Sequence, residues 1–302
     1  MLFPMQDLSW LDLALLCHPV LALLPPRVYS KSQPAARRSW LALSFLALLA
    51  YRYYATPSPL PPFTTTTEPL CKTHDLPNPI AHLHPSNATG TLNGTITLLP
   101  IPLTVARSLI PPSYTILTHA YRALLPSFPA DMYPAILQAV HDHDVQAFGY
   151  IIPDFSRAGI EFPFLDILGD GHTSFRWAPA LLLSAGHSIA VGGAREYGTE
   201  VLESEFAPAC DAYASVAGAP GATTFEAVAE AGAAYVRTRF EKAEGGVGLE
   251  FFRNVTNQPS FADGRSCDNM VRLFNTSVTQ EIEVVRGSPK FSDGVTIPWP
   301  LV

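Results

Sequence analysis

Residues 188–206, SIAVGGAREYGTEVLESEF, are the stretch on which the prediction of the fold depends. An apolar run opens it, two glycines follow, and the charged pair Arg195–Glu196 comes next. This order is typical of a strand that ends at a turn and presents charged side chains at the edge of a sheet. Just upstream, Gly186 predicts a turn that connects this strand to the apolar residues 180–184. Arg195 and Glu196 are therefore the first candidates for a functional site.

The composition limits the class of protein. The chain has 302 residues, of which 48% are hydrophobic and 15% are charged. This is enough for one large domain or two small ones with a sizeable core. The net charge is −7 and no basic block is present, which argues against nucleic acid as a partner.

The N-terminal region does not have the pattern of a soluble fold. Residues 39–55, SWLALSFLALLAYRYYA, follow a segment that carries four basic residues. The uncharged part is shorter than the roughly 20 residues of a spanning helix, so a signal anchor and a secretory signal segment both fit, with a buried core helix as the alternative. Positive charge on the N-terminal side predicts that residues 1–38 are cytoplasmic and that the remainder enters the lumen or the extracellular space. A stalk rich in proline and threonine is predicted over 56–90.

Glycosylation sequons agree with this topology. Four follow the apolar segment, at Asn87, Asn93, Asn254 and Asn275. Three of the four cysteines also follow it, which allows one disulfide, and we predict the pair Cys210–Cys267. No cysteine spacing is typical of a metal site, and no cofactor is predicted.

The main domain is predicted over 91–302 as an α+β fold with a mainly antiparallel sheet and few helices. Strands are predicted at 89–103, 144–154, 174–196, 247–255, 270–278 and 279–287. Helices are predicted at 102–112, at 132–140 (MYPAILQAV) and at 224–246, where Thr223 and Glu226 would form a capping box.

Several of these segments, in order, resemble the acetoacetate decarboxylase family. They are IPLTVARSLIPPSYTI (101–116), AFGYIIPD (147–154), FRWAPALLLSAGHSIAVGGARE (175–196) and MVRLFNTSVTQEIEVVRGSPKF (270–291). The resemblance covers residues 95–291, and the last segment but one carries the Gly-Arg-Glu signature of the family with two extra residues, Gly193 and Ala194. It implies a closed, strongly curved antiparallel β cone with an interior pocket.

The chain departs from this family at the nucleophile. In the family, a Pro-Lys-Lys run follows Gly-Arg-Glu, and its first lysine forms a Schiff base with the substrate ketone. Here residues 197–202, YGTEVL, contain no lysine. The four lysines of the chain are Lys31, Lys72, Lys242 and Lys290, and none follows the signature. Schiff-base decarboxylation is therefore not expected.

The resemblance nevertheless implies roles for three residues. Glu196 would act as a general acid or base if it is buried, and Arg195 would hold a substrate carboxylate. Glu161 lies near another acidic position of the family. Each has a structural alternative: an ion pair for Glu196, an anchor at the strand end for Arg195 and a surface carboxylate for Glu161.

Two further groups resemble ligand sets. The run HDHD at 141–144 would place His141 and His143 on one face only in a strand, and the helix predicted before it favours a solvated helix end over a metal site. Asp166, Asp170 and His172 are typical of turns. No metal site is predicted at either.

Two hypotheses follow. The first is a membrane-anchored or secreted glycoprotein that binds or transforms a keto-acid or polyketide-like molecule, as a lyase or isomerase of secondary metabolism, by acid–base chemistry at Glu196 and Arg195. The second is a binding or structural glycoprotein without catalysis. A second copy of the chain is a further candidate partner. A closed cavity around Glu196 would favour the first hypothesis, and an exposed Glu196 would favour the second.

Overall fold

The longest apolar stretches of the chain form the centre of a mixed sheet. Strand β1 (Thr89–Pro102) pairs antiparallel with β3 (Met132–Ala147), and β3 pairs on its other side with β5 (Phe155–Asp166). The computed structural model describes residues 73–274, 277–278 and 282–292. All of these belong to one compact unit.

Short strands and four helices complete the described part of the chain. The other strands are β2 (Thr115–Ile116), β4 (Tyr150–Ile152), β6 (Phe175–Trp177), β7 (Ala180–Ser184), β8 (Glu200–Ala207), β9 (Ala214–Ser215), β10 (Thr223–Ala229), β11 (Tyr235–Lys242), β12 (Ser260–Phe261), β13 (Cys267–Asp268), β14 (Val285–Gly287) and β15 (Lys290–Phe291). The helices are α1 (Leu103–Leu109), α2 (Thr118–Leu124), α3 (Ser188–Glu196) and α4 (Leu249–Thr256), with a 3-10 turn at Glu230–Gly232.

The sheet is mainly antiparallel. Among the described strands, only the pairs β6–β12 and β7–β8 are parallel. The principal order is β13-β12-β6-β5-β7-β8-β10-β11-β14, and it is open between its two ends in the described residues. The predicted α+β class, dominated by its sheet, is confirmed.

The core lies on both faces of the central strands. Residues 132–141 of β3 are buried without interruption. On one side, the rings of Tyr121, Tyr133 and Phe164 form an aromatic group in which Tyr121 contacts the other two rings edge-on or tilted. The stretch MYPAILQAV is thus a strand, and its prediction as a helix was wrong. A strand buried on both faces has a continuous apolar run, which its sequence shares with a buried helix.

The segment that carries Arg195 and Glu196 contains a helix. Ser188–Glu196 forms α3, which connects the parallel strands β7 and β8. Parallel neighbours need a crossover connection, and the helix supplies it. The side chain of His187 accepts a hydrogen bond from the Ala190 amide at the start of α3. The predicted strand here was therefore wrong, whereas the turn at Gly186 is confirmed by its positive φ of 74°.

Two more predictions of secondary structure were wrong: a predicted helix is a pair of strands, and a predicted strand contains a helix. Residues 224–246 form the hairpin β10–β11 instead of a helix, and Glu226 pairs across the strands with Arg237 (2.6 Å) instead of capping a helix. Residues 247–255 contain α4 instead of a strand, with Phe251 and Val255 buried one helical turn apart. Neither 269–274 nor 282–284 forms a strand.

The described part of the predicted stalk lies against the domain. Asp211 accepts hydrogen bonds from the Thr73 hydroxyl (3.0 Å) and the His74 amide (2.7 Å). Asn78 donates to Asp144 Oδ2 and to Thr89 Oγ1. No helix among residues 73–292 that the structure describes has the length and apolar character to cross a membrane. The predicted membrane segment, 39–55, lies outside the described residues.

A glycine in β1 is a sharp test of the central strand pair. A Cβ on Gly94 would lie 2.5 Å from the Ala139 carbonyl oxygen and 2.7 Å from Val140 Cα, both backbone atoms of β3. We expect Gly94→Ala to lower the free energy of unfolding by about 1–3 kcal/mol, since the strands must move apart. Chemical denaturation measures the change. Gly192→Ala is the matched control, because this position in α3 has open space and a helical alanine should be neutral or stabilising by up to about 1 kcal/mol. Equal effects of the two substitutions would contradict the pairing of β1 with β3.

Candidate functional site

A buried polar cluster lies between the central sheet and the segment that follows β13. It consists of Gln138 on β3, Glu161 on β5, Arg176 on β6 and Arg272 in the irregular residues 269–274. Their exposed fractions are 3%, 8%, 2% and 9%. Gln138 pairs with Gly159, two residues from Glu161, so the alternation of side chains places Gln138 and Glu161 on the same face.

Hydrogen bonds and one ion pair connect the four side chains in series. Arg272 Nη2 donates to Gln138 Oε1, and Gln138 Nε2 donates to Glu161 Oε2. On the far side, Arg176 Nε lies 2.9 Å from the same Glu161 oxygen, and Arg176 Nη1 donates to the Val255 carbonyl oxygen (3.2 Å). Glu161 is therefore bound from two sides by protein groups.

The positive charges of the cluster are unequally compensated. Arg157 pairs with Asp142 through Nε (2.7 Å), and Arg176 pairs with Glu161. Arg272 contacts an amide instead of a carboxylate. Burial, reinforced by the neighbouring Arg157 and Arg176, lowers the pKa of Arg272 to about 9, and the carboxylates of Glu161 and Asp142 oppose this shift. The lowered pKa indicates that the charge on Arg272 is costly where it lies.

Two donors of this guanidinium have no acceptor. Arg272 Nε and Nη1 are buried and have no hydrogen-bond partner among the described residues. The backbone is nevertheless fixed, because Asn257 Oδ1 accepts from the Arg272 amide (2.7 Å) and Asn257 Nδ2 donates to the Arg272 carbonyl oxygen (3.3 Å). A buried charged group with unused donors is uncommon in proteins, which makes Arg272 a candidate binding residue.

A depression open to solvent lies beside Arg272. It has a volume of about 260 Å³ and is lined by Arg253, Asn257, Arg272, Leu273 and Phe274. The Arg253 guanidinium carbon lies 5.7 Å from the centre of the Phe274 ring. No carboxylate is among these lining residues. The depression is therefore positively charged, small and partly apolar.

Arg195 and Glu196, the candidates from the sequence, lie elsewhere. Both are exposed at the end of α3, and Arg195 Nη2 pairs with Glu203 Oε1 (3.3 Å) at the surface. Of the two alternatives stated for Glu196, the structure thus shows the exposed one, because α3 turns its last residues to solvent and buries only Val191. No hydrogen bond or ion pair in the described residues connects this pair to Glu161. Of the three predicted site residues, the structure places only Glu161 in a buried polar site.

The HDHD run lies on a strand and not at a helix end. His141 and His143 of β3 therefore share a face. His141 Nδ1 lies 2.9 Å from Ser156 Oγ, and His143 Nδ1 lies 2.6 Å from Asp154 Oδ2. Asp166 and Asp170 accept hydrogen bonds from backbone amides of their own turn, as predicted. Over the described ranges, no group of three or more His, Cys, Asp or Glu side chains is placed to hold a metal ion.

Neither described lysine has the buried setting that a Schiff base requires. Lys242 Nζ lies 2.7 Å from Glu283 Oε1, and both side chains are more than half exposed. Lys290 is also exposed. Lys31 and Lys72 lie outside the described residues.

The structure describes two of the four cysteines and three of the four sequons. Cys210 and Cys267 are each disulfide-bonded, and the pairing between them stays a prediction. Asn87 is half-buried, and Asn254 is exposed on α4. Asn93 Nδ2, the atom that would carry a glycan, donates to Asp75 Oδ1 (2.6 Å). Asn275 lies outside the described residues.

Sequence reasoning missed three of the four cluster residues. Each is a single polar residue in an apolar run: Gln138 in AILQAV, Arg176 in FRW and Arg272 in MVRLF. A lone polar side chain in such a run is buried with its neighbours and must find a partner. This pattern was the available signal. Its partners are far away in sequence, so no local spacing could connect them.

No protein-family model matches the chain, and no curated protein matches it significantly. The resemblance to the acetoacetate decarboxylase family therefore stays a prediction from the residue patterns.

Proposed function

We propose that the protein binds a small organic molecule with a carboxylate group, such as a keto acid, at Arg272. One observation carries this proposal. Arg272, a residue with only 9% of its surface exposed, has two guanidinium donors without an acceptor among the described residues, and it is one of the residues that line an open depression.

The chemistry of the guanidinium favours a carboxylate. Its planar fork of N–H groups matches the two oxygens of a carboxylate, and charge-assisted bonds of this kind are about twice as strong as neutral ones. A ligand carboxylate would also compensate the charge whose burial lowers the pKa of Arg272. A second depression, lined by residues 124–129 and 246–248, has no ionisable side chain and offers no such partner.

The dimensions favour a small ligand. About 260 Å³ is just below the volumes of about 300–1,000 Å³ that are usual for sites of drug-sized molecules. Leu273 and Phe274 would contact an apolar part of the ligand, and Arg253 would face a second polar group. A short keto acid combines these features.

Binding without turnover is better supported than catalysis. Glu161 is held by Gln138 and Arg176, Glu196 is exposed, and both described lysines are exposed. The proposal thus keeps the second hypothesis from the sequence, a non-catalytic binding protein. We also propose, from the residue patterns, that the chain is a divergent member of the acetoacetate decarboxylase-like group whose sheet, in the described residues, is open instead of closed into the expected cone, and that it is a membrane-anchored or secreted glycoprotein.

Calorimetry with matched ligands tests the proposal. Acetoacetate, pyruvate and acetate are titrated against the protein beside acetoacetamide, which lacks the negative charge. We expect the keto acids to bind, acetate to bind more weakly and the amide to show no binding. Equal affinity for acetoacetate and acetoacetamide, or no binding of any acid, would contradict the proposal. Proton NMR of the same acetoacetate samples should show decay no faster than in buffer, and faster decay would restore the enzyme hypothesis.

A further inference from the structure

The turn between β3 and β4 exposes an unusually apolar tip. Residues 147–153, AFGYIIP, contain no charged side chain. Phe148, Tyr150 and Ile151 are exposed by 71%, 75% and 79%, the three largest values among the exposed large apolar residues of the described chain. Such a group is unfavourable in water, and contiguous exposed apolar surface marks an interaction site.

The backbone of this tip is also unfavourable for its sequence. Ala147 pairs with Tyr150, so Phe148 and Gly149 form a two-residue turn, with φ of 52° and 83°. Asparagine, aspartate and glycine are the usual residues in such turns. A left-handed conformation costs an ordinary residue roughly 1–2 kcal/mol. Phe148 thus carries two unfavourable free-energy terms, one from its exposed apolar surface and one from its left-handed backbone. This combination favours a function for the side chain.

The tip projects from the sheet and is not part of a groove. The pairing of β3 with β5 ends at Asp142 and Phe155, and β1 begins its pairing at Thr89 opposite Gln146. Beyond this, Ala147 is paired with β4 alone. A convex apolar tip can enter a lipid bilayer, because a bilayer, unlike a protein partner, needs no complementary pocket to receive it. Aromatic side chains in particular favour the interface between lipid and water.

Polar groups mark the base of the hairpin. His143 Nδ1 lies 2.6 Å from Asp154 Oδ2 there, and the Asp144 amide donates to Asp154 Oδ1. The chain that follows the predicted membrane segment, 39–55, first contacts the domain where Thr73 and His74 donate to Asp211, and it reaches the hairpin base at Asn78, which donates to Asp144 and Thr89. The stretch between that segment and residue 73 is about 17 residues long and can span up to roughly 60 Å, so a membrane held by the proposed anchor is within reach of the domain.

We propose that residues 147–152 insert into the interfacial layer of a lipid bilayer. The contact between His143 and Asp154 at the hairpin base then stays in water, while Phe148, Tyr150 and Ile151 enter among the headgroups and the first acyl carbons. The proposal is independent of carboxylate binding at Arg272.

Quenching by brominated lipids tests the insertion. The full chain is reconstituted in phosphatidylcholine vesicles whose acyl chains carry bromine, and tryptophan is introduced by Tyr150→Trp. The control is Leu168→Trp, which is also exposed but follows the opposite end of β5. After subtraction of the wild-type signal, we expect several-fold stronger quenching for Tyr150→Trp than for Leu168→Trp. Adding Ile151→Asp to Tyr150→Trp should remove the difference.

Three results of the quenching experiment would overturn the proposal. They are equal quenching in the two tryptophan variants, no quenching in Tyr150→Trp, and quenching that survives the added Ile151→Asp. A concentration-dependent change in the fluorescence of the Tyr150→Trp variant without lipid would instead assign the tip to contact between two copies of the chain, and this too would overturn it.

Discussion

Replacing Arg272 with methionine should abolish the binding of small carboxylates. Methionine keeps the apolar stem but has no donor for the ligand. Loss of one partner of a buried, hydrogen-bonded charge pair costs about 2–5 kcal/mol, which corresponds to a loss of affinity of about 30-fold to a few thousand-fold. Calorimetry with the tightest-binding keto acid measures it.

Two further variants serve as controls. One separates the charge of Arg272 from the planar geometry of its guanidinium, and the other tests an arginine at the surface. Arg272→Lys keeps the charge but loses the planar fork, so we expect an intermediate affinity. Arg195→Gln removes the exposed arginine that the sequence pattern favoured, and we expect wild-type affinity because this side chain pairs with Glu203 at the surface. If Arg195→Gln weakens binding as much as Arg272→Met, the site has been assigned to the wrong arginine.

Replacing Glu161 with glutamine should destabilise the fold strongly. The substitution keeps the size of the side chain but leaves the positive charge of Arg176, which is 2% exposed, without a carboxylate. Removal of one member of a buried ion pair typically costs about 3–5 kcal/mol. Urea denaturation followed by circular dichroism measures the free energy of unfolding.

The matched control is Glu196→Gln, the same change at an exposed residue. We expect it to alter the free energy of unfolding by no more than about 0.5 kcal/mol. The double variant Glu161→Gln with Arg176→Met should recover part of the lost stability, since no buried charge is then left alone. A neutral Glu161→Gln would mean that the pair with Arg176 contributes little, and it would remove the basis for a structural role of Glu161.

The sequence allowed the class of fold to be predicted, but it misled in the assignment of several elements. The alternation in 223–229 is carried partly by alanine, with Phe225, Ala227 and Ala229 buried in turn. Alanine has the highest helix propensity, so the helical interpretation was the natural one. The tertiary pairing with β8 and β11 overrides that preference.

The candidate site was predicted only in part, for a related reason. Glu161 was reached through the resemblance, whereas Arg195 and Glu196 were placed on a strand that is in fact the helix α3. On a strand, these two neighbouring side chains would point to opposite faces of the sheet, so one of them could face the interior, whereas at the end of α3 both are exposed to water. The decisive residue, Arg272, lies in a segment without regular structure, where neither periodicity nor a cap gives any signal.

The residues of the polar cluster are far apart in the sequence, so they are synthesised at different times and cannot all make their contacts at once. Gln138, Glu161 and Arg176 leave the ribosome well before Arg272 is added, and at about 5–20 residues per second the interval after Arg176 is about 5–20 s. During synthesis, the nascent sheet can therefore form its Glu161–Arg176 contact before Arg272 has been synthesised. A chain that terminates early, between α4 and residue 272, would keep most of the strands and lose Arg272, the residue proposed to bind the carboxylate.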